Sequence, residues 1–183
     1  MEALLVLTIG TLAFRLLGAR GVRRFATWGA SAAHGLAAML VLTASAHFVP
    51  DSVTVMPTHA DLVRMVPPFV PYPSLMVYVT GVLELLGAAG LVLGVTRRAA
   101  GVALAALFVG LLPANVYAAV ADVPFNGGAA TPLWLRVPEQ VLYIGVALWA
   151  AWSAHRAART AGQVDAAHEV DTARAAERQA LGA

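Results

Sequence analysis

The sequence predicts an all-α fold that crosses a membrane five times, and three observations predict it. Of the 183 residues, 60% are hydrophobic and the mean hydropathy is +0.74, against roughly 45–50% apolar usage in a soluble domain. Apolar runs fall at about 3–19, 25–49, 74–95, 99–121 and 137–155, each able to cover the ~30 Å hydrocarbon layer at about 1.5 Å per residue. Finally, all 12 basic residues are arginines, and their clusters alternate along the chain. Arg20, Arg23 and Arg24 separate the first two runs, Arg97 and Arg98 separate the third from the fourth, and Arg156 and Arg159 follow the fifth. The other two connections carry only Arg64 and Arg136, beside Asp51, Asp61 and Asp122. The positive-inside rule then places the N-terminus outside, the C-terminus in the cytoplasm and the two longer loops outside. A pI near 9.5 therefore reports orientation, and no basic groove interleaved with aromatics points to nucleic acid.

The first run lacks a basic start, and an arginine cluster stands where a cleavage site would be expected, so it is read as a span and not a signal peptide. After the second run, Pro50, Pro57, Pro67, Pro68, Pro71 and Pro73 make the first outer loop stiff and extended. Between these prolines, residues 59–66 have the pattern of two turns of interfacial helix. Phe48, Phe69, Tyr72 and Tyr78 gather at the same boundary, as a headgroup-level belt would. The third run holds Gly87, Gly90 and Gly94, small residues at a spacing that lets helices approach closely in lipid. Pro113 interrupts the fourth run and frees the carbonyl of Val109, with Asn115 near enough to answer it. Pro138 and Glu139 suit the first turn of the fifth helix. The tail from Thr160 is rich in alanine and carries Asp165, Glu169, Asp171, Arg174, Glu177 and Arg178. It has no apolar stripe and is assigned no activity.

The residues of functional interest are the polar ones inside the apolar runs. Glu84 stands at the centre of the third, where a charge costs on the order of 3 kcal/mol. His47, Asn115, Arg136 and Gln140 stand towards the outer ends of runs two, four and five. An outward-opening polar pocket with Glu84 at its floor accommodates all five. His34, at nearly the depth of Glu84, is a secondary partner that would satisfy the carboxylate without a pocket. Glu84 is thus read either as a structural pin, protonated and hydrogen-bonded, or as a group that binds a ligand or moves a proton.

No catalytic, cofactor-binding or metal-ligating set is expected. The chain has no cysteine, which removes disulfide exchange, thiolate metal sites and iron–sulfur ligation. The two membrane histidines share one helix and cannot clamp a haem. His59 and Asp61 alone make a poor metal site. There is no phosphate loop or nucleophile elbow.

From His34 to Trp152 the chain resembles the DoxX family of membrane proteins. The resemblance rests on Ser45-Ala46-His47-Phe48, Arg64-Met65-Val66-Pro67-Pro68, Gly81-Val82-Leu83-Glu84-Leu85-Leu86-Gly87, Thr96-Arg97-Arg98, Pro113-Ala114-Asn115-Val116 and Leu133-Trp134-Leu135-Arg136-Val137-Pro138-Glu139-Gln140. Glu139 departs from the leucine the family usually has before the glutamine. The resemblance implies a four-helix membrane bundle over residues 25–159, with an extra N-terminal span and basic loop over 1–24 and a polar cytoplasmic tail over 160–183. It also implies a bacterial plasma-membrane protein that binds a small molecule, a quinone or a sulfur anion, within a redox or oxidative-stress complex. A small proton-coupled transporter and a non-catalytic scaffold or assembly factor are the alternatives. Expected partners are the bilayer, other membrane or soluble redox subunits and a second copy of the chain.

Overall fold

A computed structural model describes residues 2–129 and 131–181, without the side chains of 170, 173 and 175–181. Six α-helices run α1 Glu2–Ala19, α2 Trp28–Ser45, α3 His59–Arg64, α4 Pro73–Val92, α5 Arg97–Val120 and α6 Leu133–Leu181 among these residues. There is no strand among them, only an isolated bridge between Phe125 and Gly128. Helices α2, α4, α5 and α6 each pack on two neighbours and close an antiparallel four-helix ring. The extra helix α1 lies outside it, against α2.

Helix α2 sits between α1, α4 and α6, and its sequence suits that place. Runs of Gly, Ala and Ser let neighbouring backbones come close, and Ala33, Leu36, Leu40 and Ala44 are fully buried. At the α1 crossing, a Cβ on Gly35 would stand 2.8 Å from the Thr11 amide nitrogen and 3.0 Å from the Leu7 carbonyl. Gly21, at φ 98, ends α1 with Val22 donating to the Leu17 carbonyl at 3.1 Å, a left-handed cap that favours glycine. The side chain of Thr27 then caps α2 by accepting from the Ala30 amide at 3.2 Å.

One end of the ring carries the arginines and the other carries the two long loops. At the arginine end the last carbonyls of α4 are satisfied from outside the helix. Arg24 donates to Val92 at 3.0 Å, Arg97 to Leu91 at 2.8 Å and Thr96 to Gly90 at 3.0 Å. Two cations at a helix C-terminus also complement its negative end. Gly87 and Gly90 are close contacts with Leu104 and Ala100 of α5, whereas Gly94 meets nothing. At the loop end, Thr58 and Asp61 form a capping box that starts α3. The Asp61 carboxyl titrates below its ordinary range: burial opposes ionisation, but bonds from Thr58 and Arg64 outweigh it.

Three helices among the described residues, α1, α4 and α5, are long and apolar enough to cross a membrane. Helices α2 and α6 fall outside that set for different reasons. Helix α2 is built largely from small residues, and His34, Ser31, Thr43 and Ser45 lower its hydropathy. Helix α6 carries Glu139 and Gln140 and runs on without a break into the polar tail, exposed from Arg156 onward where its side chains are described. Glu177 and Arg178 of the tail have side chains outside the described residues. Helix α6 also begins four residues before Val137, so Pro138 lies inside it instead of opening it.

Candidate functional site

The interior of the ring changes character along its length. Its arginine half is apolar, packed by Leu36, Leu40, Leu91, Leu104 and Ala147. Its loop half is polar, and the expected site residues are there in two groups.

The first group joins α2 to α4. His47 lies just past the end of α2 and is buried against Gly81; a Cβ at that glycine would stand 2.5 Å from the His47 Cβ. The His47 Nδ1 lies 2.6 Å from the Val77 carbonyl. A carbonyl oxygen only accepts, so Nδ1 carries a hydrogen and Nε2 is the nitrogen that faces Glu84. Nε2 stands 3.8 Å from Glu84 Oε1, and the Thr43 hydroxyl donates to Oε2 at 3.4 Å. Both His47 and Glu84 are buried. The two groups thus face each other across a short buried gap, just beyond hydrogen-bond distance.

The second group joins α5 to α6 by a directed chain of hydrogen bonds. Arg136 donates to Asn115 at 3.1 Å, Asn115 to Gln140 at 3.5 Å, and Gln140 to the Phe108 carbonyl at 2.9 Å. Gln140 thus reaches from the next helix to the Phe108 carbonyl, one residue before the Val109 carbonyl that Pro113 frees, and Asn115 turns to Arg136 and Gln140 instead of to Val109. Each amide oxygen in this chain of bonds is used as an acceptor, and the Glu139 carboxylate lies near both Arg136 and Tyr143. Arg136 Nε and the Tyr143 hydroxyl are buried without a partner. Tyr143 leans towards the N-terminal end of α6, as helical side chains do, and Arg136 and Glu139 both act on it electrostatically.

His34 does not join Glu84. Its Nδ1 lies 2.7 Å from the Ala30 carbonyl, its Nε2 accepts from Arg24 Nε at 3.0 Å, and Phe14 and Phe25 flank the ring. The reason is directional. Helical side chains lean towards their own N-terminus, so on antiparallel helices His34 leans to the arginine end and Glu84 to the loop end. His47 lies in the path of Glu84. The single pocket expected for all five residues is likewise replaced by the two bonded groups. Two cavities open on the loop half, of about 670 and 330 Å³, and neither is lined by any of the five.

Sequence reasoning missed Thr43, Tyr143 and the contact of Arg15 in α1 with the Trp28 ring, 5.5 Å from its centroid. Thr43 is recoverable, because it lies one helical turn before His47. Tyr143 is signalled only by its position one turn after Gln140 on α6. No group of three or more metal-binding side chains exists among the described residues.

Residues 36–154 match the model of a family described as a domain of unknown function, DUF8561. The match covers more than half of the chain, which belongs to that family. It spans most of α2, the other ring helices and both loops, and leaves out α1, His34 and the tail. No curated protein and no solved structure matches the chain.

Proposed function

We propose that this chain is a five-span membrane protein, a DoxX-like bundle that binds a small molecule in its polar loop half as an accessory subunit of a redox or oxidative-stress complex. The observation that carries the reading is that Arg136 Nε and the Tyr143 hydroxyl are buried without a hydrogen-bond partner. A buried donor without an acceptor costs about 1–3 kcal/mol. A ligand that brings acceptor oxygens, such as a sulfur oxyanion or a quinone carbonyl, removes that cost for both donors at once. The apolar half of the ring supports the depth of the site by fixing the helices around it.

Five spans follow from locking α2 and α6 side by side with α4 and α5, which are apolar enough to cross on their own. The arginine end then faces the cytoplasm of a bacterial plasma membrane, and the loop end faces out. The cysteine-free chain makes this testable with single cysteines. Val55→Cys in the loop and Ala161→Cys in the tail are expected to react with a membrane-impermeant maleimide from opposite sides. Labelling of both from one side refutes the topology. For the ligand, purified protein is titrated with thiosulfate and with a short-chain quinone. Saturable binding weakened at least about tenfold by Arg136→Ala, a loss of about 1.4 kcal/mol, is the expected result. No saturable binding of either refutes the reading.

The buried His47–Glu84 pair favours one other reading, a proton-coupled carrier, since such carriers hold ionisable groups near the midplane. Substrate-linked proton flux in vesicles, lost in Glu84→Gln, separates it from the first.

A further inference from the structure

One pair at the loop end has a chemistry the ring interior does not share. His59 opens α3 and Ser74 stands in the first turn of α4. The His59 Nδ1 lies 2.8 Å from the His47 carbonyl oxygen, and its Nε2 lies 2.9 Å from Ser74 Oγ. The carbonyl only accepts, so Nδ1 carries the hydrogen of the neutral ring, Nε2 is bare, and the Ser74 hydroxyl donates to it. A serine bonded to an imidazole whose tautomer is fixed by a third group is the arrangement of an activated nucleophile.

The surroundings fit that chemistry. Tyr78 stacks on the His59 ring at 4.1 Å and 20°, which holds its plane. The His59 amide is anchored to the Val49 carbonyl at 3.0 Å. Ser74 is exposed, so a substrate reaches it. The first amide of α4 with an acceptor is that of Met76, bonded to Tyr72 at 3.0 Å; those of Ser74 and Leu75 have none among the described residues. They stand at the positive end of a 20-residue helix, where a developing oxyanion is stabilised. The amide after the nucleophile serves this purpose in nucleophile elbows. Tyr72, two residues before the serine and 75% exposed, offers apolar contact.

We propose that Ser74 and His59 form a serine esterase site for acyl esters presented at the membrane surface. The esterase chemistry is independent of the ligand proposed for the ring interior; only the membrane placement rests on the five-span reading. Ser74 Oγ bonds to the ester carbonyl carbon while its proton passes to His59 Nε2, and the free amides receive the oxyanion. Collapse breaks the bond to the alkoxy oxygen, and His59 returns the proton to release the alcohol. Water, deprotonated by His59, then attacks the acyl-serine to release the carboxylic acid and restore Ser74. A backbone carbonyl steadies the imidazolium less than a carboxylate does, so turnover is slower than that of a full triad.

The test treats the full chain in detergent with a fluorophosphonate probe and maps the adduct by mass spectrometry. Wild-type protein is expected to label at Ser74 and not at Ser52, an exposed serine in the loop between α2 and α3 that serves as an internal control. Ser74→Ala abolishes the adduct. His59→Phe, which keeps a ring against Tyr78 but removes the base, slows labelling about 10²–10⁴-fold. No wild-type adduct at Ser74, or equal labelling of Ser74 and Ser52, overturns the assignment without recourse to any variant. An unchanged rate in a His59→Phe protein of native helical content also overturns it. Turnover of phosphatidylcholine vesicles by wild-type and not by Ser74→Ala supports the membrane ester as substrate. Turnover of soluble p-nitrophenyl butyrate alone overturns that part.

Discussion

Replacing Gly81 with alanine tests the contact that brings His47 to Glu84. In an exposed helix the change is favourable, because alanine is better than glycine there by about 1 kcal/mol. Here the new Cβ would stand 2.5 Å from His47 Cβ, 2.7 Å from Cγ and 3.0 Å from Nδ1. The first of these atoms is tied to the backbone and cannot swing away. Overpacking of this kind costs about 1–3 kcal/mol, and displacing the ring also forfeits its bond to Val77, worth about 1 kcal/mol. The net loss after the helix gain is about 2 kcal/mol. At about 2–4 °C per kcal/mol for a chain of this size, the melting temperature falls by about 4–8 °C. Thermal unfolding in detergent, followed by circular dichroism, reads it. Gly110→Ala, where nothing lies within 4 Å, is the control and leaves the melting point unchanged or higher. In a His47→Gly background, which removes that Cβ as well as the ring, the cost of Gly81→Ala disappears, a coupling that a double-mutant cycle measures. A Gly81→Ala protein as stable as the Gly110→Ala protein refutes the placement of His47.

Glu84→Gln keeps the shape and the bond from Thr43, so its unfolding midpoint stays within about 1 kcal/mol of wild type, whereas Glu84→Ala leaves a void costing about 2–4 kcal/mol while Thr43 keeps its bond to Leu40. Arg24→Ala and Arg97→Ala each uncap α4 and lower stability by about 0.5–1.5 kcal/mol, read by denaturant titration and by faster amide exchange in its last turn. Asp61 titrates below its unfolded value, so it contributes stability above the unfolded pKa of about 3.9 that is lost as pH falls through the lower folded value. Amide exchange in α3 should therefore rise steeply below about pH 4, and Asp61→Asn should remove that acid dependence while weakening α3 at neutral pH.

The element order was legible because apolar runs and arginine clusters alternate without overlap. Even the short helix α3 announced itself through the polar–apolar pattern of residues 59–66 between prolines. His47, Glu84, Asn115, Arg136 and Gln140 stood out too, since polar groups inside apolar runs are few, whereas Thr43 and Tyr143 did not. The pairing of these residues was not legible. His34 and Glu84 have nearly equal depth along the chain, and only the lean of side chains on antiparallel helices sends them apart. Depth also understated the reach of His47, because it depends on Gly81 having no side chain on another helix. The start of α6 was misjudged because Pro138 is tolerated inside the helix, five residues after its first residue Leu133. The His59–Ser74 pair was invisible for a further reason. It joins residues 15 apart across a loop whose path is fixed only by tertiary contacts.

The central claim is that the polar loop half holds a small molecule through Arg136 and Tyr143. Native mass spectrometry of protein released from its own membrane in mild detergent, with the small molecules identified, addresses it most directly. The account predicts an acceptor-bearing ligand bound one to one in the wild type and lost from Arg136→Ala of unchanged helical content. Bare polypeptide from both proteins, or a ligand equally retained by both, would contradict it.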